Sequence, residues 1–218
     1  MNKNPQKKAF LLFAPIFLLA FNSCIGISMD IQMRKDGSSR VSLEYRYSVM
    51  AETAGKFDGN ENWPIVPVGR ADWERTAQRV SGMKLVSFSS SQKNQQDVIT
   101  NVTLEFDSAD ALLKFLDPAG DRASQSAGRL EITVNKPLPS QINGDLLELM
   151  RQISGGYRFA VSFSAEGNST LVVTDALGKE ISLPQDAQIV PSGKKTSLSI
   201  AVLEIFTLKD GLGLRFTW

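Results

Sequence analysis

The sequence predicts an α+β protein, in which a mostly antiparallel sheet built from hairpins carries about three to four helices on one face. Two observations support this fold class. Runs in which apolar and polar residues alternate, as in half-buried strands, outnumber stretches with apolar residues at helical spacing. Most alternating runs also come in pairs joined by short polar turns, which favours hairpins over strand–helix–strand units.

The clearest predicted element is a hairpin near the start of the chain. Residues 27–33 and 41–49 each alternate apolar with polar side chains, and Asp36-Gly37 lies between them. Two amphipathic runs around an Asp-Gly dipeptide are the strongest short-range hairpin pattern in a sequence. The first strand therefore begins within a few residues of Cys24.

The middle of the chain predicts two helices and a second hairpin. Apolar residues at helical spacing indicate a helix over about residues 71–80. Residues 84–89 and 98–106 alternate and form the predicted hairpin. Ser108 is a typical N-cap for the helix that follows.

Shorter elements are predicted for the rest of the chain. In order, they are a strand at 130–134, a helix at 145–153, strands at 157–163, 169–174, 179–183 and 188–190, a helix at 200–208 capped by Ser199, and a strand at 212–216. We expect residues 24–218 to form a single α+β domain. Residues 136–143, with two prolines, are the joint expected if the chain forms two smaller domains instead.

The composition excludes several classes of function. The chain has no histidine and one cysteine, which removes histidine-dependent triads, cysteine–histidine dyads and nearly every zinc, copper or haem site. Lys3, Lys7 and Lys8 are the only charged residues among the first 23, so 21 basic and 23 acidic residues remain after them. A chain this close to neutrality has no electrostatic footprint for nucleic acid.

Residues 1–23 have the three zones of a secretory signal peptide. A short basic segment precedes 13 uninterrupted apolar residues, 9–21, and polarity returns at Asn22. A transmembrane helix needs about 20 apolar residues, so an uncleaved anchor or an N-terminal helix of the fold is the weaker interpretation. A plain cleaved signal that leaves one free thiol is a further alternative.

Cys24 follows this apolar segment directly. The run from Phe21 through Ser23 to Cys24 resembles the lipobox of bacterial envelope lipoproteins, in the looser form known in spirochaetes. Ser23 suits the small position before the cysteine, whereas Phe21 and Asn22 depart from the usual pattern, which puts efficient processing in question. The resemblance implies cleavage between Ser23 and Cys24, a diacylglyceryl group on the Cys24 sulfur and fatty acylation, such as palmitate, of the new amino group.

Residues 51–70 have no sustained periodicity and contain an apolar group around Trp63, Ile65 and Val66. An exposed apolar group of this kind indicates a binding loop for a lipid, a peptide or a protein. The alternative, which we weigh more heavily, is a lid that folds back onto the sheet.

No cofactor is predicted, and no metal site. Asp58, Asn60 and Asn62 resemble the start of a calcium loop, but Trp63 and Gly69 stand where that loop needs glycine and glutamate. Ser-x-x-Lys occurs three times without its companion motifs, so a serine–lysine or two-carboxylate hydrolase stays open but cannot be located.

The first hairpin and the closing run of residues 195–218, which ends in Trp218, resemble the LppM-like domain of bacterial envelope lipoproteins. The resemblance covers the two ends of the chain and implies an α+β envelope protein that contacts lipid or another amphiphile. We therefore expect a non-enzymatic lipoprotein with a binding or scaffolding domain, anchored to a membrane and facing the periplasm or the cell exterior. The alternative is a lipid-anchored hydrolase of the cell envelope.

Overall fold

The computed structural model describes residues 25–49, 69–93, 97–135, 148, 156–184 and 186–218. Most strands of this part of the chain belong to one seven-stranded sheet. Its members, in spatial order, are β3 (Met83–Lys93), β4 (Asp97–Phe106), β2 (Ser39–Ser48), β1 (Ile25–Met33), β7 (Arg158–Ser164), β10 (Lys195–Ala201) and β9 (Gln188–Ser192).

A second sheet has four strands, and three helices complete the described elements. The strands, in spatial order, are β5 (Ala123–Ser126), β6 (Arg129–Asn135), β11 (Leu212–Thr217) and β8 (Thr170–Thr174). The helices are α1 (Arg70–Arg79), α2 (Ala109–Leu116) and α3 (Val202–Thr207).

The predicted fold class was wrong. Strands hold 54% of the described residues and helices only 17%, so the protein is mostly β. A second sheet packs where the sequence predicted helices: the Phe163 ring of β7 lies 4.9 Å from that of Phe216 on β11, and 5.0 Å from that of Trp218. Strand patterns show which face of a strand is buried, but not whether a helix or another sheet covers it.

The first hairpin was predicted correctly. β1 and β2 pair antiparallel from Ile25↔Tyr47 to Met33↔Ser39 without a register shift. In the turn, Gly37 has a φ of 82°, which glycine adopts without strain, and the Asp36 carboxylate accepts the Ser38 backbone N–H at 2.9 Å. Local turn chemistry thus fixes the register of the hairpin.

The other edge of β1 pairs in parallel with β7, from Ile27↔Phe159 to Gln32↔Ser164. This parallel pair makes the large sheet mixed and places β1 at its centre. Ile31 and Val41 point into the core and are fully buried, whereas the alternate residues of β1 and β2 form a polar outer face.

Helices α1 and α2 cover the β3–β4–β2 part of the inner face. The Trp73 indole N–H of α1 donates to the Tyr45 hydroxyl at 3.1 Å, and its ring lies 6.2 Å from that of Phe115 on α2. Ser108 caps α2 as predicted, because its hydroxyl accepts the Ala111 backbone N–H.

Several other element predictions need correction. Ser199 lies within β10 and does not cap a helix, and α3 begins at Val202. Within residues 179–183 the described pairing is a single bridge, Thr174↔Glu180. Strand β5 forms where none was predicted, and residues 136–143 and most of the predicted helix at 145–153 lie outside the described residues.

Candidate functional site

All of the site residues predicted from the sequence lie outside the described part of the chain. They are Ser23, Cys24, Trp63, Ile65 and Val66. The structure does describe the residues next to Cys24, because β1 begins at Ile25. One peptide bond therefore separates the predicted lipid attachment residue from the central strand of the large sheet. No helix among the described residues is long and apolar enough to cross a membrane.

A cluster of polar side chains lies on the outer face at this end of the sheet. The Arg46 Nε of β2 donates to the Asp97 Oδ2 of β4 at 2.8 Å, and Arg46 Nη2 donates to the same oxygen. The Tyr157 hydroxyl donates to Asp97 Oδ1 at 3.0 Å. Asp97 therefore joins β4 to β2 and to the residue that precedes β7.

Gly26 of β1 lies directly beneath this cluster. A Cβ atom added there would lie 3.5 Å from Tyr157 Cδ1 and 3.4 Å from the Arg158 carbonyl oxygen. The Tyr157 ring therefore passes close over Gly26, and the Arg46 guanidinium carbon lies 5.6 Å from the ring centroid. This contact is a cation–π interaction at the edge of the protein.

Arg158 lies on the other side of Gly26, at the start of β7. Its Nε donates to the Ser199 hydroxyl at 2.7 Å and its Nη2 to the Asp186 carbonyl at 2.9 Å. Its Nη1 lies 3.6 Å from Asp186 Oδ2, which also accepts the Ala201 backbone N–H. Arg158 is thus oriented by two neighbouring residues, Ser199 and Asp186.

In each ion pair of this cluster, the carboxylate is less exposed to solvent than the arginine. The Arg46 side chain is 50% exposed and its partner Asp97 only 10%, while Arg158 is 42% exposed and Asp186 33%. The hydrogen bonds that Arg46 donates to the Asp97 carboxylate raise the pKa of Arg46, which therefore stays charged. In each pair the arginine is thus more exposed than its carboxylate, by a wide margin at Arg46 and by a small one at Arg158.

A shallow groove of about 360 Å³ lies on the outer face of the small sheet. Its floor includes Gly213, and its rim carries Glu131 and the loop of Asp175. The Asp175 carboxylate accepts the backbone N–H groups of Leu177 and Lys179 at 2.8 and 2.9 Å, so it stabilises the loop. The groove is polar, but this carboxylate is engaged in the fold.

Glu131 is the other carboxylate of interest in the groove. Hydrogen bonds from Arg215, and then from Arg129, hold the pKa of Glu131 below its ordinary value. A carboxylate with a lowered pKa is a poor general base. Glu131 therefore lacks the raised pKa that the general acid of a hydrolase uses.

No protein-family model and no curated protein matches the chain. Among solved structures, it is similar to a protein of Parabacteroides distasonis ATCC 8503 that is described as a candidate protease, with 12% sequence identity and a TM-score of 0.38. The match covers 89% of this chain, which spans 40% of that structure. A TM-score this low supports no inference about fold or activity.

The arginines beside Gly26 were missed in the sequence. Arg46 and Arg158 are far apart along the chain and are brought together only by the parallel pairing of β1 with β7. One signal was available, since a glycine inside an alternating strand often marks the close approach of another group. Gly26 lies next to the alternating run of residues 27–33 and two residues after Cys24.

Proposed function

We propose that the protein is a bacterial envelope lipoprotein, anchored to the membrane through Cys24, whose folded domain binds or scaffolds a partner without catalysis. The observation that carries the proposal is the start of β1 at Ile25, directly after the lone cysteine that ends the apolar segment. Because β1 is the central strand of the large sheet, a lipid on Cys24 would attach the whole domain to the bilayer without a spacer.

The expected anchor is strong enough for stable attachment. Each buried methylene contributes about 0.8 kcal/mol, so a single myristoyl chain binds only marginally, whereas two or three acyl chains hold a protein on a bilayer. Such an anchor needs no apolar surface on the folded domain. The polar outer face beside Gly26 is therefore compatible with a position at the membrane surface.

The alternative, a lipid-anchored hydrolase, has less support among the described residues. The groove of the small sheet is the polar concavity where such chemistry would be sought. Its Glu131 is paired with two arginines and its Asp175 is bonded to backbone. Both of these carboxylates are engaged in contacts within the fold, so we retain the binding or scaffolding role.

The test compares wild type with Cys24→Ser in a bacterial host that acylates lipoproteins. The wild-type protein should incorporate labelled palmitate, enter the detergent phase and remain with membranes after a high-salt wash. The serine variant should lose all three properties, because it lacks the thiol that accepts diacylglycerol. Equal membrane retention of both forms, without label in either, would show that the chain is not a lipoprotein.

A further inference from the structure

Two arginines flank the first residues of β1 on the outer face of the large sheet. Gly26 pairs with Arg46 on one side, and the parallel register places Arg158 on the other. Neighbouring strands are about 4.8 Å apart, so the Cα atoms of the two arginines are separated by about 10 Å across β1. Gly26 adds no side chain between them, and the Tyr157 ring occupies part of that space.

Both guanidinium groups retain hydrogen-bonding capacity. A guanidinium has five N–H donors, and the described hydrogen bonds use two on Arg46 and two on Arg158. The carboxylates that orient them are the more buried members of each pair. An anion that approaches Arg46 from solvent therefore meets N–H donors before it meets Asp97, whereas Asp186 is nearly as exposed as Arg158.

The position of this pair relative to Cys24 restricts which anion can reach it. Gly26 is two residues after Cys24, and an extended chain covers at most about 3.6 Å per residue. Gly26 therefore lies within about 7 Å of Cys24, and the Cα atoms of the two arginines lie about 5 Å further away, on the strands to either side. At that distance from a bilayer, the anions present at highest concentration are phospholipid phosphates.

We propose that Arg46 and Arg158 bind the headgroup phosphates of anionic phospholipids beside acylated Cys24. The planar guanidinium matches phosphate oxygens with paired N–H donors, and Tyr157 supplies an aromatic ring of the kind that resides at membrane interfaces. The Ile25 end of the large sheet then rests on the membrane, and the Asp36–Gly37 turn points away. This inference rests on the proposed lipid anchor.

The experiment uses single-cysteine fluorescence on the full, acylated protein in vesicles. Cys24 is the only cysteine, so a thiol introduced by Ser28→Cys or Lys35→Cys is the only one left to label once Cys24 carries its lipid. Both positions are exposed, and about 20 Å of chain separates them. Energy transfer to a headgroup-labelled lipid is measured in phosphatidylcholine vesicles with and without phosphatidylglycerol.

Arg158→Gln tests the arginine, and Arg40→Gln is its matched control. Arg40 lies on the same face at the far end of β1, has 41% of its side chain exposed and pairs with a single carboxylate, Glu105, at 3.3 Å. Both variants remove one positive charge. Arg158→Lys keeps the charge but lacks the planar guanidinium with its paired N–H donors. Thermal melts of all variants establish that they are folded.

We expect stronger transfer from the Ser28 label than from the Lys35 label, and a larger difference when phosphatidylglycerol is present. Arg158→Gln should lower, in anionic vesicles, the ratio of molecules whose Ile25 end contacts the bilayer to molecules whose Ile25 end does not. We expect a decrease of about fivefold, because this is the effect of one cation at the membrane surface. Arg40→Gln should leave that ratio unchanged, and Arg158→Lys should be intermediate.

Two results would overturn the proposal, and they differ from each other. If the acylated protein gives equal transfer from both labels, or transfer insensitive to phosphatidylglycerol and to Arg158, the arginines do not bind headgroups although the anchor exists. If the protein carries no acyl chain and does not associate with vesicles, the proposed function fails and this orientation fails with it.

Discussion

Strands β1 and β11 lie at the interior of their respective sheets, and they differ in what occupies their outer face. The outer face of β1 is open and polar, with the Arg46–Asp97–Tyr157 cluster over Gly26. The outer face of β11 is covered in part by Arg215, whose Nε donates to Glu131 at 2.8 Å and whose Nη2 donates to the Gly178 carbonyl at 2.6 Å, and the polar groove lies beside it. We infer that β11 serves stability, whereas β1 is available for contact with a surface.

The largest expected effect concerns β11. Deletion of residues 211–218 removes Leu212, Leu214 and Phe216, which are at most 1% exposed, and leaves β6 and β8 without their shared neighbour. Burial of each such side chain contributes about 1.5–3 kcal/mol, against a total stability of about 5–15 kcal/mol. The truncated protein should be unfolded by circular dichroism. A cooperative melt within a few degrees of wild type would contradict this role for β11.

Substitution by alanine should have different effects on the free energy of unfolding at the glycines of the two strands. A Cβ on Gly213 would lie 2.4 Å from Thr174 Oγ1 and 2.7 Å from the Asp175 carbonyl oxygen, whereas one on Gly26 would meet its neighbours at 3.4–3.5 Å. Gly213→Ala should therefore cost about 1–3 kcal/mol through overpacking. Gly26→Ala should be neutral or stabilising by up to about 1 kcal/mol. Urea unfolding of both variants measures the difference, and equal losses would show that β1 is packed as tightly as β11.

The two ends of β1 can be compared through their ion pairs. Asp97→Ala removes a carboxylate that accepts hydrogen bonds from Arg46 and Tyr157. The substitution should lower the free energy of unfolding by about 1–2 kcal/mol, and this value takes into account that solvent screens the exposed Arg46. Lys35→Ala breaks an exposed pair with Glu166 at the far end and should change stability by less than about 0.5 kcal/mol. Similar effects from both variants would mean that the cluster adds nothing beyond a surface ion pair.

Acid should weaken the connection from α2 to the small sheet. Burial raises the pKa of Asp117, but the backbone N–H groups of Arg122, Ala123 and neighbouring residues outweigh it and lower the pKa to about 2. The ordinary value is about 3.9, so this carboxylate stabilises the fold above about pH 4, and the contribution is lost as pH falls toward 2. The Tm difference between wild type and Asp117→Asn should be constant from pH 5 to 7 and shrink at pH 3. A difference independent of pH would contradict this assignment.

The sequence predicted the parts of the fold that local chemistry determines. Asp36-Gly37 fixed the first hairpin and Ser108 fixed the start of α2, because turn and cap residues act within a few positions of themselves. The parallel pair of β1 with β7 and the stacking of Phe163 on Phe216 join residues far apart along the chain. No periodicity encodes such partners, and this is why a helix-covered sheet was predicted in place of two sheets.

The residues of the candidate site also differ in whether the sequence could predict them. The prediction for Cys24 depends on a contiguous pattern and could be made from the sequence, and it stays a prediction. The arginine pair depends on the pairing of β1 with β2 and with β7, and the sequence does not reveal the second of these pairings. Gly26 was the one sequence feature that indicated the approach of another group to this part of β1. Trp63, Ile65 and Val66, predicted as a binding loop, lie outside the described residues.

The most direct test of the account is the intact mass of the mature protein extracted from membranes with detergent, with fragmentation to locate the modification. We predict a chain that begins at Cys24, with diacylglycerol on the sulfur and an acyl chain on the amino group, so that the lipid adjoins Ile25 of β1. Some uncut precursor is expected because Phe21 and Asn22 depart from the usual lipobox. An unmodified Cys24 thiol in the mature protein would contradict the account, because β1 would then have no membrane anchor.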